Sequence, residues 1–388
     1  MKKIGFISIG LIIVISLSIY LVFQLNGGKS ASSPSDNILE SGEHNPDENN
    51  DESEELDPIQ AAHKERLKQY EEAGSSCKEI TDKIKRGDCF RDVNSQFLIW
   101  YIDESKSSFY FPFQHSYTEW KDVLYFTIDE NDNLGEVQKT EFYNDYKDPT
   151  ILDGDHYARA IETIEEYWYI FSNMFPKEYR QYLKHIYWVD TGQDSIFGVH
   201  RDPNVVQDTR LMISHNVKEY NSEKKHTLIH EFAHVLTLSE DQVPVKSAEI
   251  FFSEDESVFE PEIAACGTYY HWGCLNETSY FYLYYKEFWK DLMSDYEKID
   301  WNAENDYKDF FYKYEEHFFN SYQGTDPAED MADNFQYFVM MNSSEVDKSD
   351  ELKYKKVKFF YNFDELVELR TKILENIYEM SLKDEFFY

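Results

Sequence analysis

HTLIHEFAHVLTL, residues 226–238, is the stretch on which the reading of this chain turns. Leu228, Phe232 and Val235 recur at helical spacing, so the segment from about Ser222 to Leu238 is expected to be a helix with one buried apolar stripe. Asn221 or Ser222 would cap it. Residues four apart on a helix stand above one another, so His230 and His234 can turn both imidazoles to one metal ion. Glu231 is offset from that face and can reach a water on the open side of the metal. With 12 histidines in 388 residues, an HExxH is expected by chance only about 0.04 times, so an accidental pair of core histidines is the weaker reading. His226 lies one turn earlier, and eight residues of helix, about 12 Å, separate it from His234. It therefore falls outside any site that uses both later histidines.

Two histidines leave a catalytic zinc one protein ligand short. A metzincin would supply a histidine six residues after His234, but that position is Glu240, and the turn glycine before it is Thr237. Without the glycine, the chain is not expected to leave the helix and swing Glu240 back. SYQGTDPAEDMADNF, residues 321–335, offers a better source. Pro327 marks a helix start, and Glu329 and Asp333 follow four residues apart on one face. One carboxylate can bind the metal, and the other can accept the free N–H of a ligating imidazole.

With these residues in place, the chain resembles the gluzincin class of zinc metallopeptidases. HEFAHVLTL, CGTYYHWGC, ETSYFYLYYKEFWKDL and SYQGTDPAEDMADNF, in that order, are similar to a group of bacterial extracytoplasmic zinc metallopeptidases. The Tyr-then-Glu arrangement before the last of these helices also resembles the lethal-factor catalytic domain. The resemblance covers about residues 150–345. It implies Glu329 as the third ligand, Asp333 as the carboxylate behind a ligating histidine, and Tyr322 as a stabiliser of the oxyanion. Asp326 stands where Asn is common before the proline, and Asp333 where Glu is frequent.

Outward from the motif, three strand-like runs precede the helix: HIYWVDT, DSIFGVHR and TRLMISHN. The last of them is expected to pair with an extended substrate. Before them, Ile161, Ile164, Trp168 and Phe171 mark a helix. FLIWYI, VLYFTI and VQKTEFY, within residues 95–145, read as β. Asp129, Asn131 and Asn133 are spaced as in an EF-hand, but Gly135 comes one place late and Thr140 stands where a bidentate Glu is needed. A hairpin turn accounts for them better. Residues 63–84 read as a charged helix, 277–292 and 328–340 as further helices, and 364–380 as a last one with Leu366, Leu369, Ile373 and Ile377 inward.

The N-terminal segment reads differently. After Lys2 and Lys3, Ile4 to Gln24 is an apolar run of about the length that crosses a membrane as a helix. With no strong cleavage site behind it, residues 1–25 read as a signal anchor in preference to a signal peptide, which places the remainder outside the cytoplasm. Residues 26–60 are acidic and nearly without apolar side chains, a solvated linker. Residues 61–150 read as an accessory α/β region and 151–388 as the catalytic domain. The four cysteines suit an oxidising compartment, and local pairs Cys77–Cys89 and Cys266–Cys274 are the simplest of three pairings.

The net charge is -37, so nucleic acid is not an expected partner. Only -7 belongs to residues 1–60, leaving the rest strongly acidic and biased towards cationic peptides. The expectation is an α+β, zincin-like, membrane-anchored metallopeptidase with one Zn²⁺ on His230, His234 and Glu329. It would hydrolyse peptide bonds in peptide or protein substrates, with Glu231 as general base and Tyr322 assisting. Two alternatives stay open: a displayed binding module with a structural zinc, and the same chemistry on a peptidoglycan or lipid amide.

Overall fold

A computed structural model describes residues 16–17, 58–98, 100, 121–144, 154–191, 196–214, 224–253, 256–270 and 273–383. The chain is a mixed α+β protein in which a six-stranded sheet supports the helices. Its strands are β1 (Ser16–Leu17), β2 (Lys121–Thr127), β3 (Gln138–Lys139), β4 (Leu183–Asp190), β5 (Ile196–Arg201) and β6 (Thr209–Ser214). They lie in the order β1-β5-β6-β4-β2-β3. The β4–β6 pair is parallel and every other pair is antiparallel.

Alternation along the strands sorts the two faces of the sheet. Ile186 and Trp188 of β4, Phe197 and Val199 of β5, and Leu211 and Ile213 of β6 point into the main core. Tyr187, Val189 and Met212 form a small cluster on the opposite face, where Tyr125 stacks on Tyr187 with ring centroids 4.9 Å apart. Because β6 is bonded to β5 on one side and β4 on the other, it has no free edge. TRLMISHN therefore cannot receive a substrate strand as the sequence suggested. Beyond Phe197, the outer edge of β5 has no partner strand among the described residues.

The helix Gly154–Met174 and the helix Lys225–Thr237, here the metal helix, lie on the core face. Phe232 of the metal helix stacks face to face on Phe175, centroids 4.1 Å apart, and meets Phe335 of the helix Pro327–Met340, the carboxylate helix, at 6.1 Å. Burial extends all round the metal helix from Thr227 to Thr237, wider than the single stripe expected. Among the described residues the helix begins at Lys225, and the expected caps Asn221 and Ser222 lie outside them.

The region read as accessory shares the core with everything else. β2 pairs with β4, and helices Pro58–Lys78 and Lys83–Phe97 pack on each other and on the C-terminal helix Asp364–Lys383. The single helix expected over residues 63–84 is thus two, the second capped by Asp82, which accepts from Lys85 N at 2.9 Å. Phe97 and Leu98, expected in a strand, end that second helix, with Phe97 packed on Tyr70 at 5.3 Å. The VQKTEFY strand shrinks to Gln138–Lys139, because the Thr140 hydroxyl turns to the carbonyl of Val123 at 3.1 Å and a 3₁₀ turn follows. Asp129 accepts from the backbone of Asn131 and Asn133 in the hairpin turn, as expected.

Cys77 and Cys89 pair, as do Cys266 and Cys274, with Cα atoms 5.5 and 5.7 Å apart. Of the apolar N-terminal run only Ser16–Leu17 is described, so the membrane segment and the linker lie outside the described residues. Among those described, no helix is long and apolar enough to cross a membrane.

Candidate metal centre

The metal helix and the carboxylate helix pack side by side, and their facing side chains meet in a buried cluster. Asp326 begins the carboxylate helix by accepting from Ala328 N at 2.7 Å, and Pro327 takes the first turn, where its missing N–H costs nothing. Glu329 then sits in the first turn with Asp333 one turn on, and both face the histidines.

His230 Nε2 lies 3.1 Å from His234 Nε2 and 3.1 Å from Glu329 Oε2, and the third separation, His234 Nε2 to Glu329 Oε2, is 3.6 Å. All three residues are buried. A tetrahedral ion with ligand bonds of about 2.0–2.1 Å holds its ligand atoms about 3.3 Å apart. Two imidazoles and a carboxylate at this spacing therefore fit a zinc-sized ion, and the group could hold a metal. The oxygen-only shell that calcium or magnesium prefers is absent from this trio.

Asp333 stands behind His230, with Nδ1 and Oδ1 2.7 Å apart. A proton held on Nδ1 leaves the Nε2 lone pair aimed at the trio, as a ligand requires. Asp333 is itself oriented by Asn320, whose Nδ2 donates to Oδ2 at 3.2 Å. Burial disfavours charge on His230, yet the hydrogen bonds that its ring donates to Asp333 and Glu329 outweigh it and hold the imidazole pKa well above 6.5. Burial likewise pushes the Glu329 carboxyl up, but the two histidines reverse this and bring it to about 2. His230 and Glu329 are thus ion-paired in a buried site.

Glu231 is fully buried on the metal helix and lies close enough to influence Tyr322. Burial raises the Tyr322 hydroxyl well above 10, and Glu329, to which that hydroxyl donates, raises it further, with Asp333 and Glu231 adding to the effect. The ring of Tyr322 lies 6.2 Å from that of His230. Thus His230, Glu231, His234, Tyr322, Glu329 and Asp333 are gathered in one place. Glu240 is elsewhere, 3.3 Å from the buried Arg201 guanidinium and accepting from Val245 N.

Asn320 was not singled out in the sequence, and an asparagine before an aromatic turn carries no signal of its own. Tyr270 was missed too. Its hydroxyl donates to Asp326 Oδ1 at 2.5 Å, while burial pushes the Asp326 carboxyl up to about 7 against that bond. The back of the carboxylate helix holds a second polar cluster. Asp330 and Lys356, both fully buried, lie 2.6 Å apart, and Tyr284 O–H and Trp289 N–H also donate to Asp330.

No family model matches the chain, and neither does any curated protein or solved structure.

Proposed function

We propose that the protein is a zinc-dependent peptidase. The observation that carries this reading is the buried trio of His230, His234 and Glu329, spaced for a tetrahedral ion, with Glu231 fully buried beside it. When bound, Zn²⁺ would supply Lewis acidity and lower the pKa of a water from about 15.7 towards 7. Glu231 would take the proton from the attacking water and return it to the leaving amine. Tyr322, whose hydroxyl donates to Glu329, would donate to the oxygen that gains charge as the carbonyl is attacked. Asp333, steadied by Asn320, keeps the His230 proton on Nδ1.

A structural-zinc binding module is the competing reading, and Glu231 weighs against it, since a closed structural site has no use for a base. We further propose that the enzyme is extracytoplasmic, a reading supported by the two cysteine pairs.

Glu231→Gln tests the mechanism. The variant is expected to bind zinc as the wild type does while kcat falls by about 10²–10⁴-fold. Peptide cleavage at the wild-type rate by zinc-loaded Glu231→Gln would remove the general base from the account.

A further inference from the structure

The hairpin closed by Cys266 and Cys274 lies between the loop that follows the metal helix and the N-cap of the carboxylate helix. It pairs Tyr269 with Cys274 and Tyr270 with Gly273. One side rests on the loop that follows the metal helix. Gly273 has φ +148°, and a Cβ there would collide with the Pro244 carbonyl oxygen, so the close approach requires glycine. Just past the hairpin, Asn276 N donates to the Gln242 carbonyl at 3.1 Å and Tyr280 N to the Gln242 side chain at 2.8 Å. The other side reaches the carboxylate helix. The Tyr270 hydroxyl donates to the same Asp326 oxygen that caps the helix, three residues before Glu329. The Tyr270 ring is wedged edge-on against Phe281, centroids 4.7 Å apart.

We propose that Tyr270 is a positioning residue for the metal centre: through Asp326, the disulfide-closed hairpin sets where the carboxylate helix starts relative to the metal helix. Metal–ligand bonds tolerate only about 0.2 Å. A helix start that drifts by more than this moves Glu329 away from the two histidines, whose own helix is fixed by packing. The inference rests on the metal-site reading above.

The test is zinc affinity of the full-length protein, measured by competition with a chromophoric chelator, beside the melting temperature of the metal-free protein. Tyr270→Phe is expected to weaken zinc binding by about tenfold. Tyr378→Phe is the control, since it removes a hydroxyl that donates to the Glu71 carbonyl far from the site. It is expected to leave zinc affinity within about twofold of wild type, whatever it does to melting. Wild-type zinc affinity in Tyr270→Phe overturns the proposal. A wild-type protein that binds no zinc overturns the metal reading itself, a distinct failure. Should Tyr270→Phe not fold, Cys266→Ser with Cys274→Ser opens the hairpin with Tyr270 still present. Weaker zinc binding there supports the proposal, and undiminished zinc binding overturns it.

Discussion

His230 is held from two sides, by Asp333 on Nδ1 and by Glu329 on Nε2, and these carboxylates hold its imidazole pKa well above 6.5. A histidine whose folded pKa is raised contributes stability that is fully present below its unfolded pKa. That contribution is lost as the pH rises through the folded value. Zinc binding has the opposite slope, because the proton must leave before Nε2 can ligate. Chelator-treated protein is therefore expected to lose melting temperature as the pH rises from about 6.5. The increment produced by zinc should grow over the same window. Melting curves with and without zinc across that range check both trends, and a zinc increment independent of pH would contradict the assignment of His230 as a ligand. At this scale the sequence was informative where chemistry is tied to spacing. His230, Glu231 and His234 could be read from one helical turn, and Asp333 from its distance to Glu329. Asn320 and Tyr270 could not be read, because their partners are distant in the chain.

The carboxylate helix is anchored on both faces. Its front bears Glu329 and Asp333, and its back is tied down through Asp330 by Lys356, Tyr284 and Trp289. Burying two charges is costly, so the pair is not a large net gain over an apolar contact, but removing one partner strands the other. Lys356→Met is expected to destabilise the protein by about 3–5 kcal/mol. Replacing Asp330 and Lys356 together by apolar residues should cost less than the sum of the two single changes. Urea unfolding of the double-mutant cycle measures this, and strictly additive losses would contradict a coupled pair. Helices with a strong pattern, such as Asp364–Lys383 with Leu366, Leu369, Ile373 and Ile377 buried, were legible from periodicity. The elements that misled were short apolar runs. Phe97 and Leu98 close a helix pair, although β-branched and aromatic neighbours suggested a strand. The interior place of β6 was hidden as well, because strand order follows from topology and not from the composition of any one strand.

For the whole molecule, the acidic excess gives the proposed peptidase a bias towards cationic substrates. Residues 61–388 carry about -30 of the total charge of -37. Cationic peptides should therefore be cleaved with a higher kcat/KM than matched acidic ones at low ionic strength, and salt should narrow the gap. Kinetics on a Lys-rich and a Glu-rich peptide pair at low and high salt test this, and a gap unchanged by salt would assign the preference to local contacts. The same core that unites the sheet with helices from both ends of the chain holds the two ligand helices together, so the site is a property of the entire fold. The proposed function requires one catalytic metal per chain. The most direct measurement is peptide cleavage by metal-stripped protein titrated with zinc. The expected result is no cleavage without metal and activity that rises to a plateau at about one equivalent. Zinc bound at one equivalent with no cleavage of a broad peptide library would contradict the claim and leave a zinc-holding binding module in its place.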